Sequence, residues 1–291
     1  MWQVAGTSEQ APLLAFVKQD EWRCVSVSSR LRAAGARTRF AADTGTTLVC
    51  VEKGAQHPVV TSALMLTRTG VALPILDGQD LFELPRGDRL ALLFERFSSR
   101  LHSIMGMQSC VRKMETALRR RPFASIDYNM MVLDLEGWRP GTTPDLRAIT
   151  VRKAFPEDTD SLFPLQRSYE LEEVYLDPQQ FDDRRCRSLL RRGLREELVY
   201  VAEAGGVPVA KAGTNARGFT TDQIGGVFTR KDLRHRGIGR LVVATLIERI
   251  RREKQHVCLF VKKDNEAAIR LYLGLGLTIR GEYRISYYGR V

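Results

Sequence analysis

The chain has 291 residues, 44% of them hydrophobic and 27% charged, an ordinary globular composition at a length beyond the roughly 100–200 residues of one domain. No apolar run approaches the roughly 18 residues that cross a bilayer, and the opening MWQVAGTSEQAPLLAFV lacks the early Lys or Arg and the sustained apolar core of a secretory signal, so a cytoplasmic protein is expected. A formal net charge of +11 leaves nucleic acid and small anions open as partners.

In chain order, Pro12 to Leu31 reads as a helix, and TTLVCVE and PVVTSALMLTRTGVALPIL read as strands broken at Gly70. A helix over 88–103, a second over QSCVRKMETAL and a strand IDYNMMVLDLEG follow. GWRPGTTPD, with two Gly and two Pro in nine residues, marks a linker, so 1–136 is read as an α+β domain of unknown role, 137–147 as the connection and 148–291 as a second domain.

The second domain opens on a strand AITVRKAF, a helix entered through PEDTDSLF and a helix over 178–195. Three strands come next, LVYVAEAGG, VPVAKAGTNA and TDQIGGVFT, then a helix over 237–253 that carries Ile238, Val242, Leu246 and Ile250 on one stripe. The chain closes with strand HVCLFVK, helix NEAAIRLYLGLG and paired strands LTIRGEY and RISYYG. This is a mixed α+β order, not the strict alternation of a doubly wound sheet, and the first half loosely echoes it.

Five cysteines, Cys24, Cys50, Cys110, Cys186 and Cys258, are scattered without a C-x-x-C pair or a histidine at ligand spacing, so reduced thiols and no metal are expected. Basic charge gathers late: residues 201–291 hold 17 Lys+Arg against 8 Asp+Glu, and residues 151–200 hold 9 against 11.

The basic stretch centres on GGVFTRKDLRHRGIGRLV, where glycines crowd against arginines just before an apolar helix. A Walker A loop needs Lys and Ser/Thr after its last glycine, but Arg240 and Leu241 follow Gly239. A dinucleotide fingerprint needs a third small residue where Val242 stands. What remains is a strand feeding a helix whose first amides are unpaired at the positive end of the dipole, with Gly237 and Gly239 admitting a pyrophosphate and Arg234, Arg236 and Arg240 adding charge; a merely glycine-rich turn is the alternative.

Arg234-x-x-Gly237-x-Gly239, followed by NEAAIRLYLGLGL with Tyr272 seven residues after Asn265, resembles the acetyl-CoA loop and the later Asn/Tyr motif of the GNAT N-acetyltransferase superfamily, over about 148–291. The resemblance implies a mixed-sheet acyltransferase fold in the second half; the element order of the first half suits a degenerate copy of that fold or an unrelated α+β module, and the whole layout is similar to two-part bacterial members of the superfamily whose front half has no assigned role. It implies acetyl-CoA as donor, with Val227, Phe228 and Thr229 on the pantetheine and acetyl carbonyl. Arg234, His235, Arg236, Gly237, Ile238, Gly239 and Arg240 would hold the pyrophosphate, Asn265 would contact the cofactor, and Tyr272 would act as general acid. Asn265 also suits a helix N-cap and Tyr272 a core position.

The general base is less legible. Many similar enzymes place a Glu five residues before the Asn, where this chain has Phe260, and of the remaining acids Glu173 and Asp222 rank ahead of Glu170 and Glu172. Lys231 stands where relatives often carry Pro, and Leu277 where they carry Phe. The acidic run YELEEVYLDPQQFDD points to a cationic acceptor amine on a small molecule, peptide or protein. A non-catalytic acyl-CoA sensor is the alternative from another class. A nucleic-acid binder is disfavoured by the lack of aromatic residues interleaved with the basic ones.

Overall fold

The computed structural model describes residues 2–34, 47–53, 59–76, 97, 100–118, 120–141 and 146–289. They pack into two compact units: Met1–Met131 with Phe260–Asn265 and Ile279–Val291, and Val132–Leu259 with Glu266–Thr278. This division differs from the one read along the chain because late segments pack with early ones.

In the first unit, β1 (Trp2–Val4), α1 (Gln10–Gln19), α2 (Val25–Ala34), β2 (Thr47–Lys53), β3 (Val60–Thr67), β4 (Val71–Leu76), β5 (Ser103–Met107), α3 (Gln108–Leu118) and β6 (Ala124–Asp134) follow one another. β1 to β4 are an antiparallel meander, and β5 then lies parallel to β4 with Val71 opposite Ser103. The second unit repeats this plan with β7 (Ile149–Lys153), α4 (Thr159–Tyr169), α5 (Asp183–Glu196), β8 (Val199–Ala204), β9 (Val207–Arg217), β10 (Thr221–Thr229), α6 (Ile238–Ile250), the first four residues of β11 (His256–Lys262) and α7 (Glu266–Gly274). Here β7 to β10 are the antiparallel meander and β11 runs parallel to β10. The expected echo between the halves is therefore a repeat of one mixed α+β plan.

The last strand, β12 (Thr278–Tyr287), pairs antiparallel with β5, Tyr283 opposite Met107 and Tyr287 opposite Ser103. Two paired strands were expected there. The structure has one continuous strand instead, in which a Cβ on Gly281 would lie 2.8 Å from Met107 Cε, so the glycine lets β12 lie close to that side chain. The expected helix over 12–31 is two helices, since Asp20 and Cys24 leave helical angles on either side of a 3-10 turn at Glu21–Arg23. Most of the helix expected at 88–103 falls outside the described residues, and Ser103 begins β5.

The expected linker is anchored at its start. Trp138 is buried and its Nε1 donates to Leu275 O at 2.8 Å, supplying a donor to a carbonyl just past the end of α7. α6 turns Ile238, Val242, Leu246 and Ile250 inward as the stripe requires, together with Val243, Ala244 and Ile247. Each buried Val, Leu or Ile among them contributes roughly 1.5–3 kcal/mol, which fixes the helix whose N-terminus forms the site below. Among the described residues no helix is long and apolar enough to cross a membrane.

Candidate active site

The site begins at an irregularity in β10. Its parallel register with β11 covers Thr221↔His256, Asp222↔Val257 and Gln223↔Cys258 and stops there. Against β9 the register passes from Gly225↔Gly213 to Phe228↔Lys211, so Gly226 and Val227 together face the single residue Ala212. This is a β-bulge, and Gly226 adopts the positive φ of 60° that its first position demands. Residues 221–224 are buried whereas 225–227 are partly open, so the bulge frees main chain at the surface of an otherwise closed strand.

Beyond Thr229 the chain makes a 3-10 turn at Lys231–Leu233 and enters the left-handed region twice, at His235 (φ 62°) and Gly237 (φ 81°). Gly237 is the N-cap of α6; it contributes no side-chain cap, and the first intrahelical bond runs from Leu241 N to Gly237 O. The amides of Ile238, Gly239 and Arg240 therefore have no intrahelical acceptor and are available to an anion. A Cβ on Gly239 would meet Thr229 Oγ1 at 3.1 Å and Leu271 Cδ1 at 3.3 Å, so the end of β10, the head of α6 and α7 converge there.

The arginines of this loop differ in their engagements. Arg234 donates from Nε to Thr229 O at 3.1 Å, pairs with Glu172 at 2.7 Å and stacks over the Phe228 ring at 5.1 Å. Lys231 also pairs with Glu172, at 3.1 Å. Burial raises the Glu172 carboxyl, but Arg234 and Lys231 outweigh it and hold it below the usual carboxylate range. Arg240 reaches the other way: its guanidinium nitrogens lie 2.7 Å from where a Cβ on Gly274 would stand and 3.2 Å from one on Gly141. His235 and Arg236 are exposed.

Tyr272, on α7, is 6% exposed. Burial pushes its phenol above the ordinary value, and the neighbouring Tyr169 and Glu173 push in the same direction, so the hydroxyl stays protonated. Glu173 lies on the single π-turn Glu170–Val174 that continues α4. Tyr169 at the end of α4 packs edge-on to Phe228 at 6.4 Å. Tyr169 at the end of α4 and Glu173 on its π-turn are thus near enough to act electrostatically on the phenol of α7.

Two further positions, one expected at the cofactor and one where a Glu is missing, lie on or just after β11. Asn265 ends the turn after β11, its N–H donating to Lys262 O at 3.1 Å, and directly precedes α7. Phe260, at the position of the missing Glu, is stacked face to face on Tyr283 at 4.6 Å and lies edge-on to Tyr128 at 5.1 Å, an aromatic cluster within the first unit.

Asp222 has no exposure and sits in the stretch of β10 that pairs with both neighbours. Arg217 Nε donates to its Oδ2 at 3.2 Å and Lys254 Nζ lies 3.6 Å from its Oδ1. Fixed between two cations five residues before Val227, it is a structural ion-pair partner, and the candidacy of Asp222 as a base is set aside on that ground.

Several acids of the run 169–183 are similarly engaged. Glu170 accepts from Gln166, Glu172 holds the loop cations, Asp177 and Asp182 cap short helical starts, and Asp183 faces Arg167. The same hairpin also carries a cavity of about 510 Å³ lined by Thr159, Asp160, Arg187, Arg191, Arg192 and Arg195 among others. The charge around this hairpin is thus mixed, less acidic than the run alone implies. Among the described residues no cluster of three His, Cys, Asp or Glu suited to a metal is present.

One residue at the bulge was not foreseen. Lys211, on β9, is buried and its Nζ donates to Gly226 O at 2.7 Å. The available signal was a lysine inside VPVAKAG, a strand segment otherwise without charge.

The model of the acetyltransferase (GNAT) family matches residues 161–277. No curated protein matches the chain. Among solved structures, a Drosophila protein superposes with a TM-score of 0.66 at 15% identity, over 100% of this chain and 99% of its own. A GCN5-related N-acetyltransferase from Sphaerobacter thermophilus gives 0.58 at 15% identity over 98% and 94%. A tandem GNAT protein from the clavulanic acid biosynthesis pathway gives 0.52 at 13% identity over 99% and 98%. At such identities the likeness establishes the fold, including a GNAT-like plan in the N-terminal part.

Proposed function

Taking residues 161–277 as an acetyltransferase domain of the GNAT family, we propose that the chain transfers an acetyl group from acetyl-CoA to a primary amine of a cationic small molecule, a peptide or a protein. The observation that carries this reading is the convergence of the β10 bulge, the uncapped head of α6 and the buried Tyr272 within one unit.

On this reading the amides of Ile238, Gly239 and Arg240 take the pyrophosphate, with Gly237 presenting no side chain at the helix head, Gly239 letting that head lie against Thr229 and Leu271, and Arg236 and His235 at the exposed rim. Val227, Phe228 and Thr229 run alongside the pantetheine arm, and the Val227 N–H meets the thioester oxygen. An amine attacking that carbonyl makes a tetrahedral oxyanion, which a fixed amide in a poorly solvated cleft stabilises well.

Tyr272 donates to the departing sulfur. A free thiol titrates near 8.5, well below a buried phenol, so the phenol acts as hydrogen-bond donor to the thiolate and full transfer follows only as product leaves. Glu173, which bears electrostatically on the Tyr272 hydroxyl, takes the proton of the attacking ammonium. Arg234 is engaged with Glu172 and Thr229 in the free protein, so its turn toward phosphate requires exchanging those partners.

The test is release of free thiol from acetyl-CoA across a panel of amines, peptides and protein N-termini. Amine-dependent release is expected; coenzyme A binding without release from any acceptor favours the acyl-CoA sensor.

A further inference from the structure

Lys211 occupies one of the buried positions of β9, where an unpartnered ammonium would cost several kcal/mol. The surrounding groups show how the charge is accommodated. Its Nζ donates to Gly226 O at 2.7 Å and lies 4.7 Å from the centre of the Tyr169 ring. Glu170 on the π-turn and Cys186 on α5 are the titratable groups facing it. Burial outweighs both and draws the ammonium down to about 8.

The carbonyl that Lys211 grips belongs to the bulge itself. Gly226 and Val227 are the two residues opposite the single Ala212, and the peptide joining them is trans, as are all described peptides of the chain. In a planar trans peptide the C=O and the N–H point in opposite directions, so holding Gly226 O toward Nζ sets the direction of the Val227 N–H. A cation on the carbonyl also polarises the amide and makes its N–H a stronger donor. A Cβ on Gly226 would stand 3.1 Å from Nζ, so the ammonium lies tight against the bulge.

We infer that Lys211 is a positioning residue for acyl transfer, clamping and polarising the Gly226–Val227 peptide so that the Val227 N–H receives the oxyanion. The inference rests on the acyl-transfer reading above. In the reaction the amine lone pair forms the C–N bond while the carbonyl π electrons move onto oxygen. Collapse of that oxyanion breaks the C–S bond, the sulfur leaves with the electron pair and accepts a hydrogen bond from Tyr272, and the ammonium proton passes to Glu173. Lys211 neither gives nor takes a proton; it stays an ammonium throughout.

Lys211→Met keeps the volume and removes the donor and the charge. With an amine that the wild type accepts, kcat is expected to fall roughly 10- to 100-fold, short of or at the lower end of what losing an oxyanion donor outright costs. Acetyl-CoA affinity should stay within about threefold of wild type, well below one oxyanion donor's effect on rate. The working form is the cation and its titration lies below the ordinary lysine value, so wild-type kcat should fall as pH rises through about 8, and the variant should lack that limb.

A third readout needs no acceptor: the carbonyl-13C resonance of bound acetyl-CoA, moved downfield in the wild type by polarisation, should move back in the variant. A folded variant that keeps wild-type kcat, or keeps the wild-type 13C shift, overturns the inference. So does an equal loss of kcat and cofactor affinity, which marks a packing role. If the Met variant does not fold, Lys211→Gln is read on the same scale, an unchanged kcat and alkaline limb overturning the idea. Because the 13C shift is measured without transfer, failure to find an acceptor for the wild type counts against the acetyltransferase reading and not against Lys211.

Discussion

Replacing Tyr272 by Phe removes one oxygen and leaves the ring in place. The side chain is 6% exposed, so nearly all of its apolar surface is inside and is retained by Phe. Loss of one hydroxyl contact changes stability by about 1 kcal/mol. If the hydroxyl stabilises the departing thiolate, the transition state loses a hydrogen bond to a charged group, and general-acid losses run to about 10²–10⁴ in rate, or roughly 3–5 kcal/mol of barrier. The expected result is a fall in kcat of about 100-fold or more, with acetyl-CoA affinity within about twofold, since the ground-state thioester sulfur is a poor acceptor. The assay is thiol release under saturating acetyl-CoA, paired with a binding titration and a melting curve.

The pH dependence adds a check. Burial and the Tyr169 and Glu173 neighbours raise the phenol, so its acid form persists through the alkaline range and is lost only above about 10. A fall in wild-type kcat near pH 8 must then come from another group, with Lys211 the candidate. A Phe variant with wild-type kcat, or one that loses cofactor affinity as much as rate, refutes the assignment of Tyr272 as the acid.

The remaining predictions concern the anion cradle, the base and the fold. Gly239→Val places a branched side chain where even a Cβ meets Thr229 and Leu271 at 3.1 and 3.3 Å; acetyl-CoA affinity should fall at least about tenfold by titration, since the head of α6 must move off β10 and α7 and carry its free amides with it. Glu173→Gln should lower kcat by about 10²-fold at neutral pH and leave coenzyme A binding unchanged, and the loss should shrink as pH rises and the acceptor amine deprotonates in solution. Asp222→Ala removes the buried carboxylate that Lys254 and Arg217 share, leaving Lys254 only the carbonyls of Gly218 and Phe219; denaturant unfolding should show a loss of about 3–5 kcal/mol, while the folded fraction keeps its acetyl-CoA affinity.

Much of this site was legible because it is carried by local sequence. The glycines of the phosphate loop, the stripe of α6 and the Asn265 to Tyr272 spacing are short-range patterns, and the structure sets Tyr272 inward and leaves α6 uncapped at Gly237. What escaped depends on register. TDQIGGVFT reads as a strand and is one, but nothing in it shows that Gly226 and Val227 share one partner, because a bulge is a property of two paired strands. Lys211 acquires its meaning only through that bulge. Asp222 and the acidic run looked available because ion-pair partners such as Arg217, Lys254 and Lys231 lie far from them in sequence or on another element. LTIRGEY and RISYYG illustrate the reverse error: two strands expected to pair with each other are one continuous strand, in which Gly281 gives room to Met107.

The most direct measurement is calorimetric titration of the wild-type protein and of Gly239→Val with coenzyme A and with its 3′,5′-ADP fragment truncated of one phosphate and the pantetheine arm. The account predicts saturable one-site binding of coenzyme A to the wild type, much weaker binding of the fragment that lacks the pyrophosphate, and loss of coenzyme A binding in the variant. Equal affinity for coenzyme A in both proteins, or no heat of binding in the wild type, contradicts it.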